Sequence, residues 1–209
     1  VARRQERQKL KHEKELFELE ARALRAQMNP HFVFNCLNSI KSLIQQDEKD
    51  KSVTYLTIFS KLIRTLLNNA DKKEISLYDE IETCKLYLQL EAMRFDAKFS
   101  FTVNVDENID LKSVQVPALI FQPFIENAIW HGLMHKKGVG QLEIQLSAED
   151  KMLTCAIIDN GIGRNMAADF GSRTSDRNKS MGVRITTGRL ALLNKSKDQA
   201  AIFNIEDLI

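Results

Sequence analysis

Pro30 is the residue that most constrains the fold, because it ends an otherwise uninterrupted helical pattern. Residues 1–27 contain neither Gly nor Pro and are dominated by strong helix formers. Proline lacks the amide hydrogen and clashes with the carbonyl four residues earlier, so the pattern predicts a kink at position 30. Asn29 is a good N-cap and Pro30 a good first helical residue. We therefore predict a new helix over residues 30–46.

The first segment carries a narrow apolar stripe, and a second helix is predicted beyond the charged turn at 47–50. The stripe recurs at steps of seven, four, three and four, at Leu10, Phe17, Ala21, Leu24 and Met28. This spacing favours a coiled coil of two chains, and a solvated linker helix is the alternative. Apolar residues at steps of three and four predict the second helix over 53–67. Two such hairpins would form a four-helix bundle.

Composition excludes several classes of protein. The 209 residues include 30 basic and 28 acidic residues, so the balance does not demand nucleic acid or an anionic membrane as a partner. No apolar run approaches the ~18 residues of a membrane span. Cys36, Cys84 and Cys155 stand far apart, which argues against a zinc site or a disulfide framework and fits a reducing cytosol. The chain begins at Val1 without a targeting motif, so we expect a segment of a longer protein.

The second half alternates helical and strand patterns. Helices are predicted at 78–95 and at 116–131, the latter opened by Pro117, and strands at 99–105, 142–146 and 152–158. The polar turn at 148–151 is too short for a crossover, which predicts antiparallel pairing of the last two strands. The expected fold class is α+β, a helical stalk followed by a two-layer α/β sandwich. We place the boundaries at 1–27, 28–72 and 73–209, with a hinge near residues 71–76.

His31 is a candidate catalytic residue. It lies directly after Pro30, and Asn35 follows one helical turn later, where its amide could orient the imidazole. A lone histidine near apolar residues is more often structural than nucleophilic.

Glu126, Asn127 and His131 lie in an otherwise apolar predicted helix. A carboxylate beside an amide is unusual core filling, so the three residues are predicted to line a pocket. An amide oxygen suits Mg²⁺, and a carboxylate can order the proton of an attacking imidazole. The alternative is a polar face of an amphipathic helix.

Asp159, Gly161 and Gly163 come directly after the last predicted strand. Glycine lets the backbone approach a flat ligand, and an ionised aspartate can accept a hydrogen bond from an exocyclic amine such as that of adenine. A tight turn without a ligand is the alternative.

The polar stretch 164–181 and the helix predicted from Gly182 to residue 193 suit phosphate. A loop of this length is typical of a lid, and the N-terminal amides of a helix attract anions. A surface loop followed by a capping glycine is the alternative.

Three motifs occur in order: QMNPHFVFNCLN at 27–38, QPFIENAIWHG at 122–132 and DNGIG at 159–163. Together with YLQLEAMRF at 87–95 they resemble the LytS/YehU-type sensor histidine kinases, over residues 26–193. The resemblance implies a dimeric helical bundle followed by an ATPase sandwich of the gyrase/histidine kinase/MutL type. It further implies a cytoplasmic location, downstream of membrane-spanning sensor segments.

The resemblance also implies a role for each matching residue. His31 would accept a phosphoryl group from Mg-ATP and pass it to an aspartate of a response regulator, with Asn35 as an orienting residue. Glu126 would be the acid and Asn127 the Mg-binding amide of the N-box. The remaining implied nucleotide contacts are Asp159 for the adenine amino group, Gly161 and Gly163 in the first glycine box, and Gly182 in the second.

Two departures from the family pattern keep other functions open. Phe32 stands where the commoner histidine kinases carry an acidic base after the histidine. Around Gly182 the chain has one glycine where many relatives carry two, and Ile185 where many carry Asn. A non-enzymatic dimeric scaffold, or another kinase or ATPase of the same fold, is therefore the alternative function.

Overall fold

The computed structural model describes residues 30–69, 72–149 and 152–163, with side chains from Phe32 onward. The chain divides into two compact units, Val1–Lys73 and Glu74–Ile209. The first contains the helices α1 (Pro30–Gln45) and α2 (Lys49–Asn69). The second contains β1 (Glu74–Ser76), α3 (Leu77–Arg94), β2 (Phe99–Val105), β3 (Gln115–Pro117), α4 (Gln122–Asn127), a π-helical turn (Ala128–Leu133), β4 (Gly140–Glu149) and β5 (Met152–Asp159). This mixture of helix and sheet confirms the α+β class.

The helical hairpin of the first unit forms as predicted, except at one boundary. We predicted a turn over 47–50 and a helix from residue 53, but α2 already begins at Lys49. Asp47 alone takes a left-handed conformation, at φ 58°, and the Glu48 amide donates to the Leu43 carbonyl at 3.0 Å. Asp50 then favours the first turn of α2 by interacting with the helix dipole. The chain therefore reverses direction in fewer residues than the predicted turn at 47–50.

Each helix of the hairpin has a buried face and an exposed apolar stripe. The buried side chains include Phe32, Cys36, Tyr55, Leu62 and Leu66. The exposed apolar side chains of α1 are Phe34, Leu37 and Ile44, and those of α2 are Val53, Leu56 and Leu67. Within each helix the exposed stripe recurs at intervals of three, seven or eleven residues, which approximates coiled-coil spacing. The packing of the two helices against each other therefore leaves these apolar side chains exposed.

The main sheet of the second unit has the order β2-β4-β5. β2 runs parallel to β4, from the pair Phe99–Gly140 onward, and β4 runs antiparallel to β5. All three predicted strands and the antiparallel pairing of the last two are confirmed. Leu142, Ile144 and Leu146 of β4 are at most 2% exposed, so this central strand carries the core.

α3 is a long helix with a buried face that is partly polar. Ser76 caps its N-terminus by accepting a hydrogen bond from the Asp79 amide at 3.1 Å. Glu80 and Glu91 are both 0% exposed, beside apolar residues such as Leu88. Carboxylates are almost never fully buried unless they are paired, so each of them must have specific partners. The partners of Glu80 lie on the segment that follows β3, and the partner of Glu91 is Arg94 on α3 itself.

The predicted helix at 116–131 is wrong over its first six residues. Pro117 ends β3 instead of opening a helix, and α4 starts at Gln122 with Pro123 in its first turn. The physical reason is Glu80, whose carboxylate accepts hydrogen bonds from the Leu119 amide at 2.8 Å and the Phe121 amide at 3.1 Å. These bonds hold a non-helical turn in which Leu119 has φ 60°. Beyond α4 the chain continues as the π-helical turn, which the sequence pattern did not reveal.

None of the helices in the described ranges is both long enough and apolar enough to cross a membrane.

Removal of the Glu80 carboxylate should destabilise the second unit strongly. Glu80→Ala would leave two buried amides without acceptors, at a cost of about 3 kcal/mol or more. Urea unfolding followed by circular dichroism measures this loss. Glu82→Ala is the matched control, because Glu82 lies on the same helix but makes a partly exposed pair with Lys85 at 2.9 Å. Equal stability of the two variants would contradict the proposed role of Glu80.

Candidate functional site

Two of the predicted motifs meet in the second unit. We call residues 126–132 the ENAIWHG segment and residues 159–163 the DNGIG turn. The ENAIWHG segment spans the end of α4 and the π-helical turn, and the DNGIG turn begins at the last residue of β5. The Ile162 amide donates a hydrogen bond to the Gly132 carbonyl at 3.3 Å. The segment that carries Glu126, Asn127 and His131 therefore packs, through Gly132, against the turn that carries Asp159.

Glycine is required on both sides of this contact. A Cβ atom on Gly132 would overlap Oδ1 of Asp159, and one on Gly161 would overlap the Gly132 backbone. Gly163 needs glycine for a different reason, because its φ is +74° with open space around it. The backbones of the two motifs thus approach more closely than any side chain would allow.

The DNGIG turn is fixed by its own side chains and by its neighbours. Oδ1 of Asp159 accepts a hydrogen bond from the Gly161 amide at 2.9 Å. Oδ1 of Asn160 accepts from the Gln141 amide at 2.8 Å, and the Lys136 ammonium donates to the Asn160 carbonyl at 2.6 Å. The turn interpretation is therefore correct as local geometry. It does not compete with ligand binding, because a carboxylate has two oxygens and several acceptor sites.

Glu126, Asn127 and His131 are all half-buried. Oε1 of Glu126 accepts a hydrogen bond from Nε2 of Gln122 at 2.9 Å, one turn earlier on α4. Asn127 is the last α-helical residue, and His131 lies within the π-helical turn. The single helix predicted for Asn127 and His131 is therefore divided into an α-helical and a π-helical segment.

A cluster of side chains at the end of α3 packs against Trp130 of the ENAIWHG segment. Oε2 of Glu91 pairs with Nη2 of Arg94 at 2.6 Å, and the two side chains are 0% and 9% exposed. The Arg94 guanidinium lies 4.3 Å from the centre of the Phe95 ring and 4.9 Å from that of Trp130. The Phe95 and Trp130 rings meet edge to face at 5.6 Å. The indole N–H of Trp130 also bonds the buried Tyr87 hydroxyl.

Burial dominates the electrostatics of this cluster. It raises the pKa of Glu91 to about 7, although Arg94 opposes the shift, and the nearby Glu126 raises it further. Burial also raises the pKa of Glu126, against the hydrogen bond from Gln122. The pKa of Tyr87 is raised by burial, and then by Glu126 and Glu91. Three acidic groups therefore share one poorly solvated region.

Sequence reasoning missed Glu91 and Arg94, which entered only as letters of a family motif. One signal was present. Cys84, Tyr87, Glu91 and Arg94 recur at steps of three, four and three, so a glutamate and an arginine fall on the same helical face as two side chains of mainly buried types. Charged residues on such a face indicate a buried polar contact.

The other predicted site residues lie elsewhere. His31 and Asn35 belong to α1 of the first unit, four residues apart and therefore one turn apart along the helix. Asn35 is half-buried. The His31 side chain, Gly182 and the predicted lid at 164–181 lie outside the described side chains, so their roles stay predictions.

Gly132→Ala should destabilise the contact between the two motifs. The added methyl group would overlap the Asp159 carboxylate, and overpacking of this kind costs roughly 1–3 kcal/mol and should displace the DNGIG turn. Urea unfolding measures the loss, and amide chemical shifts of residues 159–163 report the displacement. At Gly138 a Cβ would meet nothing within 4 Å, so Gly138→Ala should cost only its backbone strain and leave those shifts unchanged. Unchanged shifts in both variants would contradict the close approach.

The stability of the chain should carry a pH signature of Glu91. Its folded pKa of about 7 lies above the ordinary 4.5, so its stabilising contribution is complete below pH 4.5 and is lost as the pH rises through 7. The free energy of unfolding of the wild type should therefore fall relative to that of Glu91→Gln, by up to about 3 kcal/mol. Urea unfolding of both proteins at several pH values measures the difference. A rise instead of a fall would show that the ion pair with Arg94 outweighs burial.

Comparison with known proteins identifies the family. Residues 19–99 match the family model described as "Histidine kinase". The chain is 32% identical, over 91% of its length, to "Sensor protein LytS" of Enterococcus faecalis, and 36% identical, over 69% of its length, to "Sensor histidine kinase BtsS" of Escherichia coli K12. The matches span 33% and 25% of those relatives, respectively. The chain therefore belongs to the histidine kinases and, within them, to the LytS type.

Proposed function

We propose that this chain is the catalytic core of a two-component sensor kinase, which binds Mg-ATP, phosphorylates His31 and passes the phosphoryl group to an aspartate of a response regulator. The contact between the ENAIWHG segment and the DNGIG turn is the observation that carries the proposal. It places a carboxylate, an amide and an imidazole on one segment and an aspartate with close-packed glycines on the other. Membership of the LytS-type histidine kinases supports the reaction class.

The DNGIG turn suits the adenine end of a nucleotide. Its backbone approaches Gly132 without intervening side chains. Glycine would likewise let the backbone approach a flat ligand such as a base. Asp159 is half-buried and already has one oxygen oriented by the Gly161 amide. In the proposal Asp159 accepts a hydrogen bond from the exocyclic amine, and Gly161 and Gly163 allow the close approach.

The ENAIWHG segment suits the phosphate end and the metal. Within the described part of the chain no group of three or more His, Cys, Asp or Glu side chains could hold a metal ion. Mg²⁺ does not need such a group, because it keeps several waters and takes one or two protein oxygens together with substrate phosphates. Asn127 would supply the amide oxygen, and His131 would lie beside the phosphates. When bound, Mg²⁺ offsets the phosphate charge that would otherwise repel a nucleophile.

Glu126 is the proposed proton acceptor. Phosphoryl transfer requires a neutral imidazole nitrogen in line with the leaving group, and a carboxylate near that imidazole can take or order its second proton. Burial raises the pKa of Glu126 toward the working range of a general base. Asn35, one turn after His31 on α1, would orient the imidazole. Gly182 would contribute backbone amides to the phosphates, as the resemblance implies.

The exposed stripes of the first unit support a homodimer. Phe34, Ile44 and Val53 are 65%, 62% and 65% exposed, and Leu56 and Leu67 continue the stripe on α2. A monomer would leave these side chains in water, while a second hairpin of the same kind would cover them in a four-helix bundle. The proposed protein is therefore a dimer, the cytoplasmic part of a sensor whose signal enters through the N-terminal segment.

The test is incubation with γ-labelled ATP and Mg²⁺, followed by acid and alkali treatment. We expect acid-labile, alkali-stable label in the wild type and in the control His135→Gln, whose histidine is exposed. His31→Gln should carry no label but should bind Mg-ATP as tightly as the wild type in calorimetry. Asp159→Ala should weaken that binding by about tenfold or more, because a buried polar contact to the base is lost.

Other outcomes would redirect the proposal. Label that survives acid would indicate a serine kinase of the same fold. Binding of Mg-ATP without any label would indicate a signalling scaffold. Equal ATP affinity of Asp159→Ala and the wild type would refute the adenine contact.

A further inference from the structure

The ENAIWHG segment contains a rare backbone conformation. Residues Ala128–Leu133 form a π-helical turn, with the Met134 amide donating to the Ile129 carbonyl at 2.9 Å. Such turns occur mostly as single insertions in α-helices, frequently at functional sites. If this turn relaxed to an α-helix, Gly132 would rotate relative to Asn127. The approach of Gly132 to Asp159 therefore depends on the π-helical register.

Trp130 lies in the middle of this turn and contacts side chains at the end of α3. Its ring contacts the Arg94 guanidinium at 4.9 Å and the Phe95 ring at 5.6 Å, and its N–H bonds the Tyr87 hydroxyl. All three partners belong to α3 or directly follow it. Together they fix the position, the tilt and the rotation of the indole.

Arg94 itself has partners at the edge and at the face of its guanidinium. Glu91 holds one nitrogen of its guanidinium at 2.6 Å, and the Phe95 ring lies 4.3 Å away. The planar guanidinium can make an ion pair with its edge while its face stacks on an aromatic ring, which a lysine ammonium cannot do. Arg94 therefore links the buried Glu91 carboxyl group to the indole at the centre of the π-helical turn.

α3 holds the chain on both sides of Glu126 and Asn127. Near the start of α3, Glu80 binds the amides of Leu119 and Phe121. Near its end, Arg94 and Tyr87 bind Trp130. Glu126 and Asn127, which the proposed reaction uses, lie between these two points.

We propose that Arg94 is a positioning residue: its stacked guanidinium fixes Trp130 and thereby holds the π-helical register in which the ENAIWHG segment and the DNGIG turn together bind Mg-ATP. The inference rests on the proposed function for its ligand. The π-helical register itself does not require the ligand and can be measured without it. Arg94 touches neither the nucleotide nor the reacting atoms in this proposal and acts only through Trp130.

The experiment compares Arg94→Lys with the control Lys85→Ala. Lys85 lies on the same helix and pairs with Glu82 at the same spacing, but both side chains are at least 35% exposed. Hydrogen exchange of the amides of 128–134 reports the register without any ligand. Calorimetric titration with Mg-ATP reports the affinity, and thermal unfolding reports global stability. Trp130→Phe, which keeps an aromatic face but removes the N–H, is the second variant in case Arg94→Lys does not fold.

For Arg94→Lys we expect faster exchange at 128–134 and a loss of Mg-ATP affinity of about tenfold or more, since small misplacements of binding groups are costly. Trp130→Phe should change both quantities in the same direction, and Lys85→Ala should change neither. A melting temperature close to that of the wild type would separate positioning from general destabilisation. Unchanged exchange, unchanged affinity, or losses that follow a global drop in stability would overturn the role of Arg94. Failure of the wild type to bind Mg-ATP would refute the proposed function instead, and with it the ligand named here.

Discussion

Glu80 accepts hydrogen bonds from two backbone amides although its side chain is 0% exposed. A buried carboxylate is costly unless its oxygens are satisfied, and backbone amides satisfy them without a second charge. The consequence is a fixed non-helical turn at 118–121, which decides where α4 begins. Since α4 leads directly into the ENAIWHG segment, the placement of Glu126 and Asn127 depends on a residue nearly 50 positions earlier in the chain. Long-range capping of this kind connects α3 to the candidate site.

The elements that local pattern determines were predicted well. α1 begins at Pro30, the long helix spans Leu77–Arg94, and the three strands of the main sheet were found from their alternation. The failures occurred where a distant contact overrides local preference. Pro117 is acceptable at the start of a helix, but β3 pairs with β1 there, with Val116 opposite Ile75. A single sequence does not show such a pairing.

The candidate site was predicted in part for the same reason. The two motifs of the second unit were each ambiguous, and only their joint resemblance to one family indicated that they belong together. The structure adds the physical connection, which is the glycine contact between Gly132 and Gly161. It also shows that Asp159 stabilises its own turn, so the choice between a turn and a ligand contact was a false alternative. The π-helical turn could not be predicted, because it ends the helix and no helical pattern follows it in which an inserted residue would appear as a shift of phase.

The buried face of α3 carries the charged residues Glu91 and Arg94 at positions where apolar side chains are usual. Replacing a buried ion pair by well-packed apolar residues is often neutral or stabilising, so Glu91 and Arg94 are weak evidence for stability. Their geometry is more informative. An apolar side chain can fill the space beside Trp130 in several rotamers, while a guanidinium that is paired at its edge and stacked on its face has essentially one orientation. Glu91 and Arg94 therefore lie beside the segment whose orientation the proposed chemistry requires. The apolar residues of α3 exclude water from this region, which strengthens the ion pair and keeps its geometry fixed.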